Sequence, residues 1–331
     1  MSINGIGTFD AYLKATGITV LPHRYDVHRE HFVNAFSKVA EGVMDRAAEE
    51  GRPLELEFCF IDAPGLNAFA ATFADTDVVA LHRDVIPLLV ATSKGLMSHS
   101  DLFPEIATPN CVVSPRMSSG SSKEVVLGIA SIDPRDLEDP LRDRMADAIS
   151  GMAIWFILHH ELAHIINGHT RWLRENRQLG LIVEVERPQY PVMSGMERET
   201  LEWDADASAV NNLIMMALKP VRRKEGGREW WEIPPQNSIG SIEDAIACVT
   251  SALFICAKYF SSMDDGDIRD PAPRSHPHPL MRLWAGMLTI SQNIKFRTGA
   301  QHPDYLSHMF KTGIECSRAW NKLFGEMENI D

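Results

Sequence analysis

The sequence is poor in cysteine, and its cysteines form no recognisable motif. There are five among 331 residues, and no two are spaced as a C-x-x-C pair. A disulfide framework or a cysteine zinc knuckle is therefore not expected to hold this fold together, and the cysteine usage favours a reducing compartment.

Positive charge is also scarce. The chain has 32 Lys and Arg against 45 Asp and Glu, which gives a formal net charge of −13 at pH 7. Such a surface repels phosphate backbones and anionic lipid. We therefore expect no nucleic-acid partner.

Long apolar runs are lacking as well. The most apolar uncharged stretches, 148–158 and 245–257, are far shorter than the roughly 20 residues that a membrane-spanning helix needs. The first residues, MSINGIGTFDAYLK, do not show a basic region followed by an apolar one, as a signal peptide would. We predict no transmembrane segment and a cytoplasmic location.

What is present has the composition of a globular protein, with 45% hydrophobic and 23% charged residues. Apolar periodicity predicts helices over 27–50, 84–97, 139–168 (with a break near Gly151), 194–218, 241–261, 279–292 and 303–326. Alternation predicts a strand over 54–61 and two short strands within 66–82, joined by a polar turn near Asp75. Segment 171–195 is predicted to be irregular. We expect a single α+β domain over 1–331, mostly helical, with insertions at 100–136 and 219–240.

The strongest chemical signal is an H-E-x-x-H motif formed by His160, Glu161 and His164. Positions i and i+4 of a helix share a face, so both imidazoles can bind one metal ion, and the intervening Glu faces the same cleft. A catalytic zinc needs three protein ligands and one open position, so the third ligand decides the class. A metzincin would continue with Gly and His where Asn167 and Thr170 stand, which excludes that class.

A pair of acidic residues downstream offers a third ligand. Glu202 and Asp206 are four residues apart in EWDADASA, on a predicted helix with apolar flanks. A solvated acidic face is the ordinary explanation of such a pair, but carboxylates beside a buried face are costly without a counter-charge. If Glu202 binds the metal, Asp206 can accept the free ring N–H of a ligating histidine.

Together these segments resemble a known family. HHELAHIINGH followed by EWDADASA is similar to the gluzincin metallopeptidases, in particular the family of the CaaX prenyl endopeptidase and the bacterial heat-shock membrane proteases. FIDAPGLNAFAATFADTDVVALHRDVIPLL resembles the strand, hairpin and helix of that family, and SHPHPLMRLWAG resembles its later His-Pro-x-x-x-x-Arg element. The four segments occur in the family's order and cover about 55–285. The helix at 27–50 and a helical extension over 286–331 lie outside this core.

The resemblance implies a zincin-like fold with a small edge sheet before the H-E-x-x-H helix. It also implies one zinc ion per chain, held by His160, His164 and Glu202. Glu161 is then the catalytic base for hydrolysis of a peptide or protein substrate, and Asp206 lies behind the ligands.

Further roles follow from the resemblance. It implies that extended substrate adds to an edge strand formed by Asn67, Ala68, Phe69 and Ala70, which favours an endopeptidase. His276 or Arg282 is expected to donate to the tetrahedral oxyanion, unless Arg282 only holds a carboxylate such as Asp206.

Alternatives remain open from sequence. The membrane segments of those relatives are missing here. Soluble proteins with the same motif, the phage-exclusion peptidases of the Lit type and the ImmA/IrrE regulators, show a weaker resemblance. A catalytically silent zincin-fold module that binds a protein partner is the competing hypothesis, although an intact Glu161 argues against it. His159 and His169 are expected to pack or to cap rather than to bind metal.

Overall fold

The structure is a computed structural model, and it describes residues 8–22, 27–74, 76–99, 102–103, 137, 139–177, 181–183, 195–222, 241–263, 279–298 and 303–324. The helices are α1 (Phe9–Thr16), α2 (Val27–Glu49), α3 (Val85–Met97), α4 (Pro140–Ile166), α5 (His169–Arg177), α6 (Gly195–Arg222), α7 (Ile242–Met263), α8 (Pro279–Thr298) and α9 (Pro303–Phe324). The strands are β1 (Leu56–Ile61), β2 (Ala68–Thr72), β3 (Asp77–His82) and β4 (Leu181–Val183). The predicted class, α+β and mostly helical, is confirmed.

The four strands form one sheet in the order β1-β3-β2-β4. β1 runs parallel to β3, whereas β2 is antiparallel to both of its neighbours. The predicted pair of short strands within 66–82 corresponds to β2 and β3, and the predicted strand at 54–61 corresponds to β1. The turn residue Asp75 lies outside the described residues.

The prediction that Asn67–Ala70 forms an edge strand is wrong for Phe69 and Ala70, which lie on β2 between β3 and β4. β4 pairs with β2 on the side away from β3, with Phe69 opposite Val183 and Ala70 opposite Ile182. All four residues from Asn67 to Ala70 are buried, as suits an interior strand with a covered ladder. A three-residue strand gives too little alternation to be visible in sequence, so the partner that covers this edge could not be foreseen.

Helices pack on both faces of the sheet. Phe9 and Tyr12 of α1 join the core cluster that includes Ile61 and Phe69. On β1, successive side chains point to opposite faces, and Phe58 contacts Phe36 of α2 with ring centroids 4.5 Å apart. The sheet is therefore sandwiched between α1 and α2 within this part of the chain.

All seven predicted helices are present, and the structure differs from the predictions in several places. α8 continues to Thr298, beyond its predicted end at 292. α4 is continuous through Gly151, where a break was predicted. Segment 171–195, predicted to be irregular, contains most of α5 and also β4. α6 continues to Arg222, into the predicted insertion at 219–240. The strand-like stretch 124–132, predicted within insertion 100–136, lies outside the described residues.

The chain divides into two compact units where one domain was predicted. The first takes its described residues from Met1–Ile86 and Ile157–Ala205. The second takes them from Pro87–Phe156, Asp206–Ala272 and Pro277–Asp331. Each unit is built from separate stretches of chain, so no single boundary in the sequence marks the division.

Helix α4 is long and apolar enough to cross a membrane, judged by length and composition alone. However, 94% of its most apolar window is buried inside the protein. The core helix of a globular fold has the same properties, and burial accounts for the hydrophobicity of α4.

The cysteines of the described residues, Cys59, Cys248, Cys256 and Cys316, are free thiols and are buried. Burial raises the pKa of Cys59, Cys248 and Cys316 to about 12, so these thiols stay protonated near neutral pH. Cys111 lies outside the described residues. Nothing in this part of the chain suggests cysteine chemistry.

Candidate metal centre

Two histidines of α4 bring their ring nitrogens together. His160 and His164 are one helical turn apart, and their Nε2 atoms lie 3.1 Å from each other. The ring planes are nearly perpendicular, with centroids 4.8 Å apart. Both side chains are buried, at 2% and 0% exposure. The predicted i, i+4 arrangement is therefore present, with the same nitrogen of each ring turned to a common point.

Glu202 of α6 reaches the same point. Its Oε2 lies 3.3 Å from Nε2 of His160, and its Oε1 lies 3.8 Å from Nε2 of His164. The Glu202 side chain is fully buried. The ligand atoms of the three residues lie within 4.8 Å of one another, and the group can hold a metal ion.

All three residues belong to the first unit. A fully buried carboxylate is costly unless a cation accompanies it. A divalent ion placed among the three donors would supply such a charge, and two imidazole nitrogens with one carboxylate are ligands that zinc accepts. The chemistry of the donor set therefore fits a metal.

The two residues that flank His160 are also buried. Glu161, which follows it on α4, is 1% exposed. His159, which precedes it, is 7% exposed, and burial lowers its pKa to about 4, so the ring is neutral at pH 7. His159 is not part of the three-residue group, in keeping with the expected packing role.

A sharp turn after α4 returns the chain towards His164. Gly168 has φ of 78°, a left-handed conformation that glycine adopts without strain, and α5 begins at the next residue. α5 lies against β2, where the hydroxyls of Thr72 and Thr170 are 2.7 Å apart. This turn and this contact fix the position of His169.

His169 forms a bridge between a candidate ligand and an acid. Its Nδ1 lies 3.0 Å from Nδ1 of His164, and its Nε2 lies 3.0 Å from Oδ2 of Asp204. Asn167 also donates to Oδ2 of Asp204, at 2.6 Å. Burial lowers the pKa of His169, an effect that Asp204 and Glu202 oppose.

Sequence reasoning did not find the role of Asp204. On a helix, Asp204 lies about 200° around the axis from Glu202, which assigns it to the opposite, solvent-facing side. Its side chain is indeed 54% exposed. No local pattern indicates that the chain after α4 turns back to meet it.

The side chain of Asp206 accepts hydrogen bonds from Arg282, whereas the expected donor was a metal-ligating histidine. Nε and Nη2 of Arg282 donate to Oδ2 and Oδ1 of Asp206, both at 2.7 Å, within the second unit. This is the arrangement given as the alternative role of Arg282. A hydrogen bond from a ligating histidine to Asp206 stays a prediction.

Two further residues were predicted to belong to the site, Asn67 and His276, and the structure describes only Asn67. Asn67 is buried, and its Oδ1 accepts a hydrogen bond from the backbone N–H of Ala68. His276 lies outside the described residues, as do most of the insertions at 100–136 and 219–240. A second donor for an oxyanion therefore stays a prediction.

No family model, curated protein or solved structure matches this chain. The gluzincin resemblance accordingly depends on the four sequence segments alone, and it stays a prediction. The grouping of His160, His164 and Glu202 as candidate metal ligands, by contrast, is based on the distances between their side-chain atoms.

Proposed function

We propose that this chain is a zinc-dependent peptidase, with His160, His164 and Glu202 as the metal ligands and Glu161 as the general base. The convergence of the three donor side chains carries the proposal. In a tetrahedral zinc site with bonds of about 2.0–2.1 Å, neighbouring donor atoms are about 3.4 Å apart. The Nε2 atoms of the two histidines are 3.1 Å apart, and each lies 3.3 or 3.8 Å from one of the two oxygens of Glu202, which is close to that value.

The choice of zinc follows from the ligand types. Two imidazole nitrogens and one carboxylate suit zinc, and three protein ligands leave a fourth position for water or substrate. Magnesium and calcium prefer oxygen donors only. A site closed by four protein ligands would instead be structural.

In this proposal a bound zinc supplies an acidified water and polarises the scissile carbonyl. Glu161 would accept one proton from the attacking water as the water oxygen bonds to the carbonyl carbon. Glu161 then donates the proton to the amide nitrogen as the C–N bond breaks, which leaves a free carboxylic acid and a free amine. A neutral Gln cannot accept this proton.

The substrate class is proposed as peptide or protein, and the fold as zincin-like, on the sequence resemblance. The cytoplasmic location is likewise proposed from the sequence alone.

The first experiment is zinc content per chain by elemental analysis, after purification and equilibration with zinc. We expect one zinc in the wild type and none in His164→Ala or Glu202→Ala. Matched controls are His82→Ala in β3 and Glu199→Ala in α6, which lie outside the three-residue group and should keep zinc. Circular dichroism of each variant shows that the helices are retained.

Each result decides one part of the proposal. A folded wild type without zinc would overturn the metal site, and zinc retained in Glu202→Ala would overturn that ligand. Cleavage is then tested on a mixed peptide library by mass spectrometry. A zinc-loaded protein that cleaves no peptide would overturn the peptidase assignment and leave a metal-binding module.

A further inference from the structure

Three side chains continue outward from the candidate metal centre in an unbroken line. His164 places Nε2 among the candidate ligand atoms and Nδ1 against His169 at 3.0 Å. His169 then places Nε2 against Asp204 at 3.0 Å. His164 and His169 are buried, whereas Asp204 lies at the surface.

The metal-facing nitrogen of His164 and the carboxylate of Asp204 together determine which ring nitrogens of the two histidines carry protons. A neutral imidazole has one N–H and one acceptor nitrogen. If Nε2 of His164 binds a metal, its proton is on Nδ1, and Nδ1 of His169 must accept it. The proton of His169 is then on Nε2, where the Asp204 carboxylate accepts it. Every contact in the line has one donor and one acceptor in this arrangement alone.

We propose that His169 and Asp204 are positioning residues that hold His164 in the tautomer with Nε2 free to bind the metal. This inference rests on the proposed metal site. A carboxylate paired directly with a ligating histidine normally does this and raises its basicity. Here a second histidine stands between the carboxylate and the ligand, so the negative charge acts through one more ring.

Neighbouring groups keep the carboxylate in place. Asn167, which precedes the Gly168 turn, donates to the same oxygen of Asp204 that accepts from His169. The side chain of Asp204 is thereby oriented although it is 54% exposed. The short segment 167–169 thus brings both donors to one oxygen.

The competing explanation is that His169 only packs at the start of α5. A pair of substitutions of similar shape separates the two explanations. His169→Leu fills the space but accepts no hydrogen bond, whereas His169→Asn can place an oxygen near the position of Nδ1. A packing role predicts that Asn is no better than Leu, because Asn is polar and the site is buried.

The measurement is the zinc affinity of each variant, by competition with a chelator of known affinity. We expect His169→Leu to bind zinc about 10–100-fold more weakly, and His169→Asn to recover most of that loss. Asp204→Ala is expected to weaken zinc binding by a smaller factor, because it leaves the His164–His169 contact intact. Glu199→Ala, which removes a carboxylate from the same helix, is the control and should bind like the wild type.

A second measurement needs no substitution. Two-bond proton–nitrogen NMR spectra of the zinc-loaded wild type report which ring nitrogens carry protons. We expect protons on Nδ1 of His164 and Nε2 of His169. A proton on Nδ1 of His169 would overturn the inference.

The results also separate this inference from the proposed function. Suppose that the wild type binds zinc, that His164→Ala loses it, and that His169→Leu and His169→Asn bind it equally. The metal site is then supported, and the positioning role of His169 and Asp204 is wrong. If the folded wild type binds no zinc, both are wrong.

Discussion

Arg282 donates two parallel hydrogen bonds to Asp206, from Nε to Oδ2 and from Nη2 to Oδ1, each 2.7 Å long. Arg282 is 6% exposed and Asp206 is 3% exposed, so the pair has little access to water. The two-pronged geometry matches the planar guanidinium to the carboxylate. Within the second unit, this pair ties the start of α8 to α6.

Removing one partner of this pair should cost more than removing both. Asp206→Ala leaves a buried guanidinium without its counter-ion, and we expect a loss of about 3–5 kcal/mol in the free energy of unfolding. The double variant Asp206→Ala/Arg282→Met should recover part of that loss. Urea denaturation of the three proteins measures both effects. A double variant no more stable than Asp206→Ala would show that the uncompensated charge is not the main cost.

Glu161 gives a test of mechanism that does not depend on the metal ligands. Glu161→Gln keeps the size of the side chain but removes the proton acceptor. We expect one zinc per chain, as in the wild type, and a rate of peptide hydrolysis about 100- to 10 000-fold lower. The rate is measured on the first peptide that the wild type cleaves. Hydrolysis at the wild-type rate would exclude Glu161 as the base.

Arg142 of α4 is fully buried, and it binds backbone carbonyls at the end of α3 and just after it. Its Nη1 donates to the carbonyls of Met97 and His99, at 2.7 and 3.0 Å. Its Nη2 donates to those of Leu102 and Phe103, at 3.0 and 3.2 Å. One side chain therefore satisfies four backbone acceptors at and after the end of α3.

Arg142→Met should be strongly destabilising, because it removes a charged donor from four buried carbonyls, although that of His99 still accepts from the backbone N–H of Leu102. Hydrogen bonds to a charged group contribute about 1.5–3 kcal/mol each, and they are not additive. We expect a total loss of more than about 3 kcal/mol, measured by urea denaturation. The exposed Arg318 of α9 provides the control, since Arg318→Met should change stability by less than about 0.5 kcal/mol. Equal losses in the two variants would contradict the role of Arg142.

Much of the fold could be predicted because apolar periodicity reports directly which helix faces are buried. The position of α4 and the one-turn spacing of His160 and His164 follow from such periodicity. α1 was missed although its signals were present, since Thr8 caps its first turn and Gly17 ends it in a left-handed conformation. A helix of eight residues is too short for periodicity to decide.

What could not be predicted depends on distant parts of the chain. β4 covers β2 through three residues, and no local pattern indicates which strand they join. Similarly, Asp204 is an ordinary exposed acid until the turn at Gly168 brings His169 to it. The Glu202 ligand could be proposed from its helical context, but its distance to His160 could not.

Asp77, the first residue of β3, gives a prediction of pH dependence. The side chain is 6% exposed, and burial raises the pKa of its carboxyl, although the Thr72 hydroxyl and the charges of Arg171 and Arg174 lower it. When a carboxyl has a higher pKa in the folded protein than in the unfolded chain, its contribution to stability is complete below the unfolded-state pKa. That contribution is lost as the pH rises through the folded-state pKa. Ionised Asp77 therefore reduces stability at pH 7.

Asp77→Asn, whose side-chain oxygen can still accept from Thr72, should unfold at higher urea concentration than the wild type at pH 7. This advantage should shrink as the pH falls through the raised folded-state pKa, and it should be gone below about 4, the pKa of the unfolded chain. Asp45→Asn on the exposed face of α2 is the control. A less stable Asp77→Asn at pH 7 would mean that Arg171 and Arg174 outweigh the cost of burial.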